Sequence, residues 1–297
     1  MQPARRFLHR IIDYAGLFPP ASLGMEDAVR AYADYLAGDD RDLLGMFIVP
    51  SSRLDELVSV LDSTPRASSS WELSVIAGTS FDVSRDLSRQ FNESMTAAGR
   101  GALAQCVAIE ATTPDADAAR RIIETDRDGF EVYLEVPVHE DPAPIVALMS
   151  GSGTAAKIRT GGITEGTVPS PGDVLRFMVA CREFRVPFKA TAGLHHMVRG
   201  QYPLTYEADA PKGVMFGFLN IFVAAAALDA GWEHDQVLTI LEATEASCFR
   251  FNEDGVAVNG AVIDRGQLWA TRNRFALSFG SCSFTEPVGE ARSSGLV

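Results

Sequence analysis

The chain has no apolar run long enough to cross a membrane. Its most apolar stretch, VMFGFLNIFVAAAAL over Val214–Leu228, carries Asn220 inside it. It falls short of the roughly 20 residues a spanning helix needs, so it reads as a fully buried helix. The amino-terminal MQPARRFLHRIIDYAGLFPP has basic residues but no continuous apolar segment, and no secretory leader is expected there. Paired cysteines are missing too. Cys106, Cys181, Cys248 and Cys282 stand far apart, without metal-ligand spacing, which is the usage of a reduced, cytoplasmic protein. Positive charge is scarce: 26 Lys and Arg face 39 Asp and Glu, a formal net charge of -13. No basic face stands ready to release counterions, so neither nucleic acid nor a membrane is an expected partner. A few cations in a pocket can still hold a small anion. Dinucleotide and metalloenzyme signatures are absent as well: no strand leads into GxGxxG, and there is no HExxH or HxH.

What is present is an alternation. The β-rich runs RIIDYAG, LLGMFIVP, ELSVIAG, ALAQCVAIEA, FEVYLEVPV, TAAKIRTGG and VPFKATAG are separated by stretches of helical period. Apolar strands between amphipathic helices call for a parallel sheet covered on its outer face. The fold class expected is α/β, a (β/α)8 TIM-type barrel in a single domain over residues 1–297, with an irregular eighth unit. Residues 248–297 would supply a strand or hairpin and a helix that close it. CFRFNEDGVAVNGAVI is expected to hold strand eight, or a hairpin turning at Asp254-Gly255, or both. Ser170-Pro171 ahead of Asp173 predicts a capped helix start. PRASSS, Pro65 to Ser70, is long enough only for a loop. An open doubly wound sheet is the other fold considered, without the glycine-rich turn that would support it.

In such a barrel the active site lies at the carboxyl ends of the strands. Those ends carry Asp13, Glu110, Glu135, Lys157, Arg159, Lys189, His195 and His196. Strand alternation puts Lys157 with Arg159, Lys189 with Thr191, and Glu131 with Tyr133 and Glu135, each set on one face. A lysine pair has a specific use. A free lysine, pKa about 10.4, is no nucleophile at neutral pH. A neighbouring cation and a dry pocket lower it, and the neutral amine then condenses with a carbonyl to a Schiff base. On this reading Lys157, Lys189, Glu135 and His195 are catalytic. Arg159, Asp13, Glu110, Thr191 and His196 bind substrate, Arg159 by two parallel hydrogen bonds to a carboxylate. Glu110, ahead of ATTPDAD, can also be read as helping to cap the next helix.

Two other readings stay open. His195, His196, Glu110 and Glu135 supply ligands for a divalent metal in a lyase or hydrolase, where the first reading needs no cofactor. A non-catalytic barrel is the other, a binding or assembly subunit whose apolar helix around Phe216 to Ala227 buries against a partner chain. A homo-oligomer suits all three. The Gly-rich loop TGGITEGTVPS, Thr160 to Ser170, reads as a plain connection, and Leu194 to Lys212 as a mobile lid over the mouth. His9, His139 and His234 read as ordinary surface or core histidines. Cys282, in GSCSF, has no base near it in sequence and reads as a buried structural thiol.

DYAGLFPPA, AKIRTGG, PFKATAGLHH, GFLNIFVAA and GSCSFTEP resemble, over nearly the whole chain, a bacterial family of hypothetical proteins to which no activity is attached. KIRTGG and KATAGLHH also resemble the sixth- and seventh-strand ends of deoxyribose-phosphate aldolase-type barrels. That resemblance implies class I aldolase chemistry, with Lys157 as the Schiff-base residue and Lys189 as the lysine that lowers its pKa. Arg159 stands where that motif has a small residue, two histidines follow the second lysine, and no phosphate-binding glycine turn follows strand eight. These departures leave the lysine pair as what the resemblance carries and speak against a sugar phosphate; the substrate expected is a small polar carbonyl or carboxylate compound.

Overall fold

The computed structural model describes residues 3–63 and 70–297. Its first seven strands are β1 (Ile12–Tyr14), β2 (Leu44–Pro50), β3 (Trp71–Ile76), β4 (Ala104–Thr112), β5 (Glu131–Glu135), β6 (Ala155–Arg159) and β7 (Phe188–Thr191). A hairpin of β8 (Gly200–Pro203) and β9 (Lys212–Met215) follows, then a three-stranded antiparallel sheet of β10 (Arg250–Phe251), β11 (Gly255–Val258) and β12 (Ala261–Asp264). The last strand is β13 (Ala276–Ser281). β1 to β7 and β13 form a closed barrel in the order β1-β13-β7-β6-β5-β4-β3-β2, every pairing parallel. The expected eight-stranded α/β barrel is the fold. The loop expected over Pro65–Ser70 lies, apart from Ser70, outside the described residues.

The helices are α1 (Pro3–Phe7), α2 (Met25–Ala37), α3 (Leu54–Ser63), α4 (Phe81–Ala97), α5 (Ala116–Glu124), α6 (Ala143–Met149), α7 (Pro171–Glu183), α8 (Phe218–Asp229), α9 (His234–Glu242), α10 (Arg265–Arg274) and α11 (Thr285–Ser293). α7 starts as its sequence predicts. Ser170 Oγ accepts from Asp173 N–H at 3.1 Å while Asp173 Oδ2 accepts from Ser170 N–H at 3.0 Å, with Pro171 in the first turn. α5 is capped by Asp115, whose Oδ1 accepts from Ala118 N–H at 2.7 Å, so Glu110 has no capping role.

α8 is apolar all round and buried from Phe218 to Leu228 within its own chain. It packs on α9, α10 and β13, which removes the expectation that it buries against a partner. Asn220, its polar member, ties the local chain together. Its Oδ1 accepts from Arg199 and Gly217 N–H, and its Nδ2 donates to the Ile240 and Ala243 carbonyls. Among the described residues no helix is long and apolar enough to cross a membrane.

Strand eight departs from expectation. The chain does turn at Asp254-Gly255, where Asn252 Oδ1 accepts both amides, but CFRFNEDGVAVNGAVI makes the small sheet β10–β12 outside the barrel. The barrel closes further on, through ALSFGS. Toward the mouth its inward positions are Ser278, against Asp13, and Gly280, on the cavity wall, while Leu277 packs on the inner apolar residues Met46, Ala108, Tyr133 and Ala155, so the run lacks the Val/Ile signature of a buried strand. Arg272 pins this closure. Its buried guanidinium donates to the carbonyls of Phe7 and His9, which lead into β1, and to those of Ala276 and Leu277, which begin β13.

Candidate active site

Alternation sorts the barrel strands into two faces. Tyr14, Phe47 and Trp71 point outward into an aromatic cluster with Tyr32. Inside, Met46, Ala108, Tyr133 and Ala155 form a separate apolar plug. In β4, β5 and β6 the residue two positions after each plug residue is charged: Glu110, Glu135 and Lys157. The plug therefore seals the amino-terminal end, and the charges stand above it toward the mouth. Register puts Lys157 beside Lys189 across β6 and β7, and Glu135 beside Lys157 across β5 and β6.

These groups form one chain of ion pairs. Lys189 Nζ lies 2.6 Å from Asp13 Oδ2 and 2.6 Å from Glu110 Oε1. Lys157 Nζ lies 2.8 Å from Glu110 Oε2 and 3.0 Å from Glu135 Oε2. The first of these is a close ion pair rather than an aligned hydrogen bond, since Oε2 has no aligned donor. Arg159 Nε stands 3.4 Å from Glu135 Oε1 at the rim, its side chain 52% exposed. Hydroxyls fill remaining valences: Ser74 Oγ donates to Glu110 Oε1 and Ser278 Oγ to Asp13 Oδ2, each at 2.7 Å. Asp13 Oδ1 also accepts from Met46 N–H at 2.8 Å, over Gly45, where a Cβ would lie 2.2 Å from that oxygen.

Burial opposes charge on Glu110, but the adjacent Lys157 and Lys189 outweigh it and hold this carboxyl well below the usual range. Burial likewise opposes charge on Lys189, and Asp13 and Glu110 overcome it, holding the ammonium above its ordinary value. Lys189, 0% exposed, is thus a fixed cation inside the barrel.

Above the cluster opens a cavity of about 390 Å³. Glu110, Glu135, Lys157, Arg159, Thr191 and His195 line it with Ile48, Ile76 and Phe18. Asp13 does not. It pairs with Lys189 as a counter-ion and is not on the cavity wall. The twin motifs explain their glycines here. The turns after β6 and β7 meet backbone to backbone, a Cβ on Gly161 falling 2.9 Å from Gly193 Cα and one on Gly193 falling 3.0 Å from Gly161 Cα. Thr160 joins the turns, its N–H and Oγ1 donating to the Thr191 carbonyl and its Oγ1 also to that of Ala192. The segment expected as a lid, Leu194 to Lys212, runs into the β8–β9 hairpin, which puts Leu204 and Met215 on the cavity wall.

The adjacent histidines point opposite ways. His195 faces the cavity, with Nδ1 2.8 Å from Glu286 Oε2 and Nε2 3.7 Å from Cys282 Sγ. Burial lowers its pKa, yet the hydrogen bonds to Cys282 and Glu286 prevail and raise it from 6.5 to about 9. His196 turns away, pairing with Glu290 at 2.6 Å and stacking on Tyr202. His196 is thus held between α11 and the hairpin, off the wall of this cavity. The proposed metal set is not assembled either: His195 and His196 are held by α11, and Glu110 and Glu135 by Lys157. Among the described residues no three His, Cys, Asp or Glu side chains are grouped to hold a metal ion.

Glu286, Glu290 and Tyr206 were not legible as site residues, because α11 and the hairpin tip reach the mouth only in the folded chain. The lysine content carries a plainer signal. The chain has three lysines, Lys157, Lys189 and Lys212, and every other basic side chain is arginine. Two of the three lie side by side in the barrel. Comparison with family models, curated protein sequences and solved structures returned no match.

Proposed function

We propose that this barrel is a lyase of the class I aldolase type, acting on a small polar carbonyl or carboxylate compound through a Schiff base on Lys157. The observation that carries the proposal is the pairing of charges. Each carboxylate that neutralises Lys157 has a second cation: Glu110 has Lys189, and Glu135 has Arg159. Lys157 can lose its proton without leaving a buried carboxylate unpaired, which is the costly outcome in a barrel interior. Lys189 has no such freedom, being enclosed by Asp13 and Glu110. The two lysines therefore divide the work as nucleophile and fixed charge, and the likeness of KIRTGG and KATAGLHH to aldolase-type barrels supports the same division.

Glu135 Oε2, 3.0 Å from Nζ, takes the ammonium proton as the amine adds to the carbonyl carbon. It returns that proton to the carbinolamine oxygen as water leaves. The resulting iminium accepts the electron pair of the adjacent C–C bond. His195 lines the same cavity and is the other group able to move a proton. Arg159 holds a substrate carboxylate at the rim. Borohydride reduction of the protein with glycolaldehyde, acetone or pyruvate, followed by peptide mapping, tests this. The expected adduct sits on Lys157, disappears in Lys157→Ala, and has no counterpart on Lys189. No adduct with any of these carbonyls, or one confined to Lys212, would sink the proposal.

A further inference from the structure

Cys282 lines the cavity and is 6% exposed, yet its surroundings are polar. His195 Nε2 lies 3.7 Å from Sγ, and the Tyr206 hydroxyl lies 3.7 Å from it. Glu286 Oε2 binds both partners, at 2.8 Å from His195 Nδ1 and 2.8 Å from Tyr206 Oη. The remaining cysteines differ. Cys106 and Cys181 are buried and held above the ordinary thiol range by burial, and Cys248 is partly exposed. Cys282 is the cysteine with a histidine in reach. The fold creates this meeting: β7 and β13 are neighbours in the barrel, and the chain beyond each carries one member.

We propose that Cys282, His195 and Glu286 form a second reactive centre on the cavity wall, a thiol nucleophile with its own oriented proton carrier, which captures aldehydes as thiohemiacetals. The arrangement has the parts nucleophilic catalysis requires: a nucleophile, a ring nitrogen to hold its proton, and a carboxylate that fixes the other ring nitrogen. Sγ bonds to the carbonyl carbon, the C=O π pair moves to oxygen, and the proton given up by sulfur reaches that oxygen from Nε2. Nothing is oxidised or reduced. The centre shares a cavity with Lys157 but not its chemistry, so either assignment can fail alone.

Alkylation with iodoacetamide at neutral pH, with the modified cysteines mapped over time, tests it. Cys282 is expected to react at least roughly tenfold faster than Cys248, although Cys248 is more exposed. His195→Gln slows Cys282 by a similar factor and leaves Cys248 unchanged; Glu286→Gln serves if the first variant does not fold. Glycolaldehyde slows Cys282 alkylation reversibly, in Lys157→Met as in the parent protein. Faster reaction at Cys248, or a Cys282 rate indifferent to both variants, overturns the centre. Protection that disappears with Lys157 overturns the aldehyde assignment.

Discussion

Replacing Lys189 by methionine removes one cation from the middle of the ion-pair chain while keeping most of the side-chain volume. Asp13 and Glu110 then stay buried with one ammonium, on Lys157, where there were two. Deleting one partner of a buried ion pair costs about 3–5 kcal/mol. Large domains lose about 2–4 °C of Tm per kcal/mol, so the expected drop at neutral pH is about 6–20 °C. The pH dependence is the sharper test. Glu110 is held below its ordinary range by the lysines, so its contribution is present above the unfolded value of about 4.3 and lost as pH falls through the folded one. Lys189 is held above its ordinary value, so its contribution is complete below about 10.4 and constant between pH 5 and 8. In Lys189→Met, burial of Glu110 is opposed by Lys157 alone, and its carboxyl rises. Acid then relieves the variant by protonating a carboxylate that the parent protein keeps ionised. The difference in Tm between parent and variant should be largest near pH 8 and shrink toward pH 5 in differential scanning calorimetry. A drop below about 3 °C at pH 7, well under the cost of an orphaned buried charge, would refute the reasoning. So would a gap that stays constant or widens as pH falls.

Gly193→Ala adds a Cβ 3.0 Å from Gly161 Cα at a residue whose φ is +74°. Backbone strain of that kind costs about 1–3 kcal/mol, to be read from the urea midpoint, together with weaker Lys157 adduct formation as the two turns separate. Glu286→Gln removes the carboxylate charge at His195 Nδ1, so the ring's titration by NMR should move from about 9 down toward 6.5. The sign for stability follows from a folded pKa raised above the unfolded one. The His195 contribution is complete below 6.5 and lost as pH rises through about 9. The variant should therefore lose less stability over that interval than the parent protein. An unchanged titration would mean that Cys282 alone holds the ring's proton.

The barrel was legible because its first seven strands carry their own signal. Apolar runs such as LLGMFIVP and FEVYLEVPV are bounded by helices of clear period, and parallel strands buried on both faces leave that pattern. β13 left a weaker one because its inward positions face carboxylates and lysines rather than a lipid-like core. Ser278 there serves Asp13, and Gly280 lies where a Cβ would stand 3.1 Å from Thr191 Oγ1. The sheet β10–β12, by contrast, has ordinary alternation and so imitates the strand that is missing. The site divides in the same way. Lys157, Glu135 and Arg159 lie at strand ends, where alternation alone assigns their direction. Asp13 lies at a strand end too, yet it is covered by Lys189, and no one-dimensional pattern tells a group on the cavity floor from one beneath it. His196 sits one residue from His195, and the parity that sends one inward sends the other to Glu290.

The same pattern of cover explains why two like charges can stand in register on adjacent strands. Lys157 beside Lys189 would be repulsive in isolation, and six charges running from the barrel interior to its rim would be costly unless they alternate in sign. Along the observed contacts they do alternate: Asp13, Lys189, Glu110, Lys157, Glu135, Arg159. The order runs from full burial at Asp13 to a half-exposed guanidinium at the rim. Position in that series sets what each group can do. A charge at the inner end has no solvent and no spare partner, so it stays fixed. One near the outer end can give up a proton while its neighbours pair elsewhere. Lys157 is the lysine placed where both conditions for a nucleophile meet, a wall on the cavity and two carboxylates that each have another cation. Exchanging the roles of the two lysines would strand Asp13 without a counter-ion, which is why the proposed Schiff base is placed on Lys157 rather than on Lys189.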